Sequence, residues 1–292
     1  VPLFAAKAPV SPWWRISHAA SDASDLSIQQ GFSKAANAIG VDPKKLRDEI
    51  ARGRFARAAD AFDWKGFERD LANELESRTM KAAEKSAFDT ARRLGIPVPS
   101  NEEIRVNVRT RAQATAKQMA KESRNALKTS MRRLRKQQKN SSANTASIAR
   151  KIAGLNRQQA TSVVNRLGAL DEATPFKRNA QANKIVRSGR RNRARLVSRH
   201  EGSTAAEDAQ ELTIRAAEQQ GVIKEVFQRW VSIRDKRRDP ICARLHGQRV
   251  RLGDSFTDPL TGKKYSKPPQ PHAKCRCGRQ YTFKKVTRRR AA

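Results

Sequence analysis

Residues 100–138 read SNEEIRVNVRTRAQATAKQMAKESRNALKTSMRRLRKQQ. The opening Ser100-Asn-Glu-Glu103 is a capping-box pattern, in which a hydroxyl and a carboxylate three residues on satisfy each other's free backbone N–H groups. It predicts one long helix from about 101 to 138. The apolar stripe of that helix is narrow: Ile104, Val108, Thr115, Met119, Ala126 and Leu134. Its other faces carry Arg105, Arg109, Arg111, Lys117, Lys121, Arg124, Lys128, Arg132, Arg133, Arg135, Lys136 and Lys139, opposed by Glu102, Glu103 and Glu122. Like charges three and four apart destabilise an isolated helix. A charge run is commonly a solvated face, but the scarcity of acids here points to contact with phosphate.

Working outward, Asp42 can cap a helix and Pro43 suits its first position. A helical pattern is expected from Pro43 to Leu94, with Trp64, Phe67, Leu71 and Leu75 on one face. Gly95, Pro97 and Pro99 end it. Residues 1–40 are expected to be an irregular arm, because Pro2, Pro9 and Pro12 break helices. Trp13 and Trp14 lack periodic support there. They fit either an anchor on a partner or packing onto their own domain. The basic helical region, 41–145, closes in a polar break at 140–145. Ile148, Ile152 and Leu155 then form a helical face, and Asn156 can cap a helix bearing Ala160, Val163, Val164 and Leu167. The pair has the outline of a helix-turn-helix, which any helical bundle also contains. Residues 177–199 are again basic, with Lys184, Arg187, Arg190, Arg191, Arg193 and Arg195. An Ala- and Glu-rich helix follows Glu201 and ends at Gly221.

Past Gly221 the character changes. Val226, Phe227, Trp230, Val231 and Ile233 read as a strand, with further short strands at 248–252 and 280–286. Pro259, Pro268, Pro269 and Pro271 lie between them. The expected fold class is mainly α with a small C-terminal α+β module: an N-terminal arm, long basic helices, then short antiparallel strands with Cys/His loops. The module spans 222–287, preceded by a helical lead-in at 146–221 and followed by a basic tail at 288–292.

Composition agrees with this division. The 292 residues include 62 Lys and Arg against 28 Asp and Glu, a formal charge of +34. A free compact chain repels itself at that charge, so a polyanion is the expected partner. Hydrophobic residues make up 37%, below the roughly 45–50% of ordinary globular chains. A thin core of narrow helical stripes is expected. No apolar run of about 18 residues suggests a membrane span. No N-terminal apolar core reads as a signal peptide. The sequence has no P-loop pattern and no GxSxG, so catalysis is not expected.

The three cysteines all lie in the last fifth of the chain. Asp239, Cys242, His246, His272, Cys275 and Cys277 are candidates for a site. Two groups about thirty residues apart have the layout of a two-knuckle zinc site, and a small module gains folding energy from such a staple. The two-residue spacing of Cys275 and Cys277 is read as unfavourable to both reaching one ion. Buried thiols and a hydrogen-bonded histidine fixing the loops fit the same residues. Cys242 with His272 as nucleophile and base is a third reading.

The run Trp230-Val-Ser-Ile-Arg-Asp-Lys-Arg-Arg-Asp-Pro-Ile-Cys242-Ala-Arg-Leu-His-Gly247, followed by Pro268-Pro-Gln-Pro-His272-Ala-Lys-Cys275-Arg-Cys277, resembles the Mu F-like minor head protein family of tailed phages, also called the phage head morphogenesis family. That family's pattern is a tryptophan strand, an aspartate-arginine turn, Cys-Pro-x-Cys-x-x-Leu-x-Gly, and a closing Pro-Pro-x-His-Pro-x-Cys-Arg-Cys. Gly154-Leu-Asn-Arg-Gln-Gln-Ala160 and Arg199-His-Glu201 resemble its helical lead-in. The likeness covers about 150 to 287. Asp239 replaces the first cysteine of the paired element, and Ala273 replaces the proline after the histidine. The resemblance implies zinc ligands at Asp239, Cys242, His272 and Cys275, with Cys277 as substitute. It also implies a place inside the virion head near the portal, assembly in the host cytoplasm with portal and major capsid proteins, and a role in packaging or delivery of the genome. Some relatives carry a toxin or transferase domain after the module, and none is expected in this sequence. Double-stranded DNA is the expected partner, bound without reading bases. The alternatives are a sequence-specific DNA-binding protein with a zinc-stabilised module and an enzyme using Cys242 and His272.

Overall fold

The long helices begin and end where local chemistry dictates. In the computed structural model, which describes residues 12–136, 142–168, 175–233, 235, 238–268 and 275–286, the element order is α1 (Pro12–Asn37), α2 (Pro43–Ala51), a short 3₁₀ helix (Arg57–Ala61), α3 (Trp64–Leu94), α4 (Asn101–Lys136), α5 (Ser142–Ile152), α6 (Arg157–Gly168), α7 (Pro175–Gln219), β1 (Ile223–Val231), α8 (Pro240–Leu245), β2 (Arg249–Arg251), β3 (Phe256–Thr257), β4 (Lys264–Tyr265) and β5 (Gly278–Lys285). The chain is thus mainly α with a small C-terminal antiparallel module, as the sequence predicts. At the start of α4 the Glu103 N–H donates to Ser100 Oγ at 3.3 Å and the Ser100 N–H donates to the Glu103 carboxylate at 3.2 Å, completing the capping box. Asp42 caps α2 by accepting from the N–H groups of Lys44 and Lys45.

Two expectations are corrected. Residues 12–37 are the helix α1 and not part of an irregular arm. Pro12 is the first described residue of that helix, and proline is tolerated in a helix's first turn, where its missing N–H costs nothing. The single pattern expected from Pro43 to Leu94 is three elements, because Gly53 turns the chain at φ +66° after α2. The tail at 288–292 lies outside the described residues.

The chain divides into two units by internal packing: one of residues 1–26, 78–108 and 196–292, the other of 27–77 and 109–195. In the second, Leu46 and Ile50 of α2 and Ala58 and Ala59 of the 3₁₀ helix pack with Leu127, Met131 and Leu134 of α4. Ile152 of α5, Val163 and Val164 of α6 and Val186 of α7 complete that core.

In the first unit, the helical core is built from small side chains. Ala83 and Ala87 of α3 meet Ile104 and Val108 of α4 and Ala205 and Ala209 of α7. Ser86 Oγ donates to the Ala206 carbonyl at 2.7 Å, a contact that requires close helix approach. Alanine stripes let the helices approach closely, so this interior is filled with few large side chains. The three-stranded sheet of this unit has the order β2-β1-β5, antiparallel throughout, and β3 pairs with β4. The register of β1 on β5 shifts between Lys224 and Phe227. Glu225, at φ 54°, takes up the extra residue of that bulge.

Candidate functional site

The cysteine cluster grows out of the way α8 begins. Asp239 holds an extended backbone and its carboxylate accepts from the Ile241 N–H at 2.9 Å, with Pro240 at the first helical position. That cap turns Cys242 inward onto Trp230, Leu245, Phe256, Tyr265 and Cys277. Trp230 and Phe256 meet edge to face at 5.1 Å. Arg244, two residues on, forks onto the buried Asp258 carboxylate at 2.7 and 2.8 Å, and Asp258 also accepts from Thr261 Oγ1 at 2.9 Å. The turn between β3 and β4 is thereby tied to α8.

Cys275 and Cys277 approach from the segment leading into β5. Trp14 Nε1 donates to the Arg276 carbonyl at 3.2 Å, and the Arg276 guanidinium forks onto Asp235 at 2.7 and 2.8 Å. With Arg276 turned outward, its two neighbours face the other way. Side chains two apart on extended chain share a face, so the expectation that this spacing keeps Cys275 and Cys277 from one ion is corrected. The sulfurs of Cys242, Cys275 and Cys277 all lie within 4.8 Å of one another. Cys242 and Cys275 are 3.7 Å apart and none of the three is in a disulfide.

Of the ligand set implied by the resemblance, Cys242 and Cys275 are in this cluster, and Cys277 joins them as a full member. Asp239 is not: its carboxylate is engaged at the helix cap, a local bond that a short polar side chain before Pro240 makes readily. His272 lies outside the described residues. His246 Nδ1 accepts from the Ser232 N–H at 3.0 Å, which gives this histidine the loop-fixing part. Hydrogen bonding to Cys242 together with burial pushes the Cys275 thiol up to about 12, and contact with Cys242 and Cys275 raises that of Cys277 as well. Three thiols crowded together cannot ionise side by side without a cation. With one bound, the same crowding becomes a ligand set.

The donors suit a thiophilic metal. Zinc bonds thiolate at roughly 2.3 Å in tetrahedral sites, which places paired sulfurs near 3.8 Å. The 3.7 Å separation of Cys242 and Cys275 needs little adjustment.

The basic residues fall unevenly. Apart from Arg105, every predicted phosphate-contacting residue belongs to the second unit. There, residues 109–195 hold 23 Lys and Arg against three Asp and Glu. Lys117, Lys121, Arg132 and Arg133 of α4 and Lys184, Arg187, Arg191 and Arg195 of α7 are exposed, as are Arg105, Arg109 and Arg124. Arg111 is half-buried. Arg109 pairs with Glu76 at 3.0 Å, and Arg124 and Lys128 share Asp60 at 2.7 and 3.7 Å. The side chains of Arg135 and Lys136 lie outside the described residues.

Two arginines depart from expectation. Arg193 is 4% exposed and donates to Ser123 Oγ at 2.8 Å and the Gly154 carbonyl at 2.7 Å. It holds helices together and is removed from the set that faces solvent. Burial lowers its pKa to about 10, against the pull of Glu122. Arg190 donates to the carbonyls of Lys151 and Ala153 at the end of α5 and to Asn37 Oδ1 at 2.7 Å. There it meets the negative end of a helix dipole.

Among the described residues no helix is long and apolar enough to cross a membrane. Fold and site together define a mainly helical, strongly basic protein with a cysteine triad in a small antiparallel module. In comparisons with known proteins, no family model, curated protein or solved structure matches the chain.

Proposed function

We propose that the protein is a minor head protein of a tailed bacteriophage, held in the head interior near the portal, where it binds DNA without reading sequence and acts in head assembly and genome packaging or delivery. The observation that carries the DNA-binding part is the run of 23 cations against three acids over residues 109–195, of which Arg109, Lys117, Lys121, Arg124, Arg132 and Arg133 of α4 and Lys184, Arg187, Arg191 and Arg195 of α7 are exposed. Such a surface replaces the counterions condensed on a polyphosphate. The phage assignment rests on the resemblance of residues 230–247 and 268–277. Portal and major capsid proteins are the proposed protein partners, with the C-terminal module as the docking part.

We further propose that Cys242, Cys275 and Cys277 hold a structural zinc ion, His272 being the fourth ligand that the resemblance implies. Zinc there supplies folding energy to a module with a small core. Cys242 is 2% exposed, a poor position for a nucleophile, which disfavours the enzymatic reading.

The test is binding of mixed-sequence duplex DNA at rising salt. With six or more phosphates contacted, affinity falls about a thousandfold between about 50 and 200 mM salt. The triple variant Lys117→Glu, Lys121→Glu, Arg132→Glu is expected to flatten that slope. A salt-independent affinity, or strong preference for one DNA sequence, overturns the binding mode. Absence of the polypeptide from protease-treated intact particles overturns the assignment to the head.

A further inference from the structure

One concavity of the second unit is lined by cations and by no acid. It has a volume of about 430 Å³ and is walled by the end of α1, the end of α5 and the middle of α7. That size falls in the roughly 300–1,000 Å³ range of small-molecule sites. Its floor is apolar: Ile39, Val41, Phe62 and Val186. Its rim carries Arg150, Lys151, Arg187 and Arg190, and no Asp or Glu lines it.

The turn at Gly154 shapes the wall. At φ +83° it lets the chain after α5 pass so close to α1 that a Cβ there would sit 3.4 Å from both Ala36 and Ile39. Arg190 is then fastened beneath the rim by neutral acceptors, two carbonyls and the Asn37 amide oxygen, and its buried Nε has no hydrogen-bond partner. A guanidinium partly out of water and bonded to dipoles keeps its full charge in a concave wall, where a field is focused. Burial lowers the pKa of Arg190 and of Lys151, the direction expected of a cation drawn partly out of water.

We infer that this pocket binds a single unpaired nucleotide, its phosphate among Arg150, Arg187 and Arg190 and its base on the Ile39–Val41–Phe62 floor. An apolar floor beneath a cationic rim matches a ligand with a flat apolar body and one anionic group. Surfaces that bind single strands without reading sequence pair a cationic groove with aromatic stacking, and Phe62 is the aromatic side chain of this floor. The inference deepens the DNA-binding reading and rests on it for the source of the nucleotide: a strand end or a displaced single strand. A base pair is held by its partner and by stacking, and cannot lay one base on the floor.

The experiment measures binding of thymidine 5′-monophosphate, inorganic phosphate, a single-stranded oligonucleotide and a blunt duplex to the full chain. The nucleotide is expected to bind, and inorganic phosphate to compete only weakly. Arg150→Ala with Arg187→Ala is expected to weaken the nucleotide by about tenfold or more, the loss that goes with removing charge-assisted hydrogen bonds. Asn183→Trp keeps every cation but fills the mouth from an exposed position. It is expected to abolish nucleotide binding while leaving duplex affinity within about twofold, since phosphate contacts on α4 persist. Absence of nucleotide binding, equal affinity for inorganic phosphate, or an unchanged nucleotide affinity in Asn183→Trp overturns the inference. Loss of duplex binding with nucleotide binding intact counts instead against the DNA-packaging reading and leaves the pocket standing.

Discussion

Arg279 of β5 and Glu207 of α7 meet at 2.8 Å with 0% and 1% of their side chains exposed. The guanidinium also donates to the Glu207 carbonyl at 2.8 Å, to Glu211 at 2.6 Å and to Gln228 Oε1 at 3.1 Å. Glu207 in turn accepts from Ser17 Oγ at 2.8 Å. One arginine therefore joins the last strand to the long helix and, through Glu207, to α1. Removing one partner of a buried pair leaves the other charge stranded, at a cost of about 3–5 kcal/mol. Arg279→Met and Glu207→Gln are each expected to lower the unfolding free energy obtained from urea titration by that amount. Arg279→Lys is expected to rescue little, because an ammonium cannot span the fork. A loss under about 1 kcal/mol in Arg279→Met would show that the pair is dispensable.

Acid should act in two separable windows. His18 stacks on Trp14 at 3.8 Å. Burial, with help from the Arg276 charge, lowers its pKa from 6.5 to about 4. The folded state thus favours neutral His18, so its contribution is complete above pH 6.5 and is lost as the pH falls toward 4. Burial works to raise the pKa of Glu211, but Arg279 outweighs it and holds the carboxyl at about 2, below its ordinary 4.5. That contribution is complete above 4.5 and is lost as the pH falls toward 2. Each is worth on the order of 3 kcal/mol. Urea midpoints followed by pH should show His18→Gln flattening only the upper window and Glu211→Gln only the lower. Identical profiles in all three proteins would defeat this account.

Metal content offers a direct check on the thiol cluster. The purified chain is expected to hold about one zinc, and free zinc at a hundredfold excess over its Kd should stabilise the fold by about 2.7 kcal/mol. Cys277→Ser is expected to reduce the metal retained and the melting temperature together. A protein that is metal-free after purification in zinc, with a melting temperature indifferent to chelator, would leave only a packing role for the thiols.

Gly278 sits where a Cβ would lie 2.5 Å from Trp14 Cδ1 and 3.1 Å from Glu207 Oε1. The indole is fixed by its bond to the Arg276 carbonyl, so neither neighbour yields freely. Gly278→Ala is expected to cost about 1–3 kcal/mol by overpacking. Trp14→Ala should partly relieve the double variant. Additive losses in a double-mutant cycle would deny the contact.

What could be read in advance follows the range of the interactions. The caps at Asp42, Ser100 and Asn156 were legible because each is closed by residues within three positions. The strand at β1 and the stops at Gly95 and Gly221 are local in the same sense. Arg191 and Arg193 look alike in the sequence, yet one is exposed and the other buried. The stripe beside them is made of Gly, Ala and Ser, too weak in hydrophobic contrast to mark a face. Pro12 reads as a helix breaker because a proline inside a helix and one in its first turn are the same letter. Position in the pattern groups Asp239 with the cysteines, whereas its carboxylate serves the backbone two residues on.

Taken alone, the order of residues determined a helical, cationic chain with a sulfur-bearing module at its end, since helix periodicity, capping and net charge are properties of neighbours along the chain. Folding decided the rest: that Trp13 and Trp14 close on the last strand from some 260 residues away, that three thiols converge, and that a cation-rimmed hollow opens beside α5. These depend on which surfaces exclude water together, and no local pattern encodes that choice.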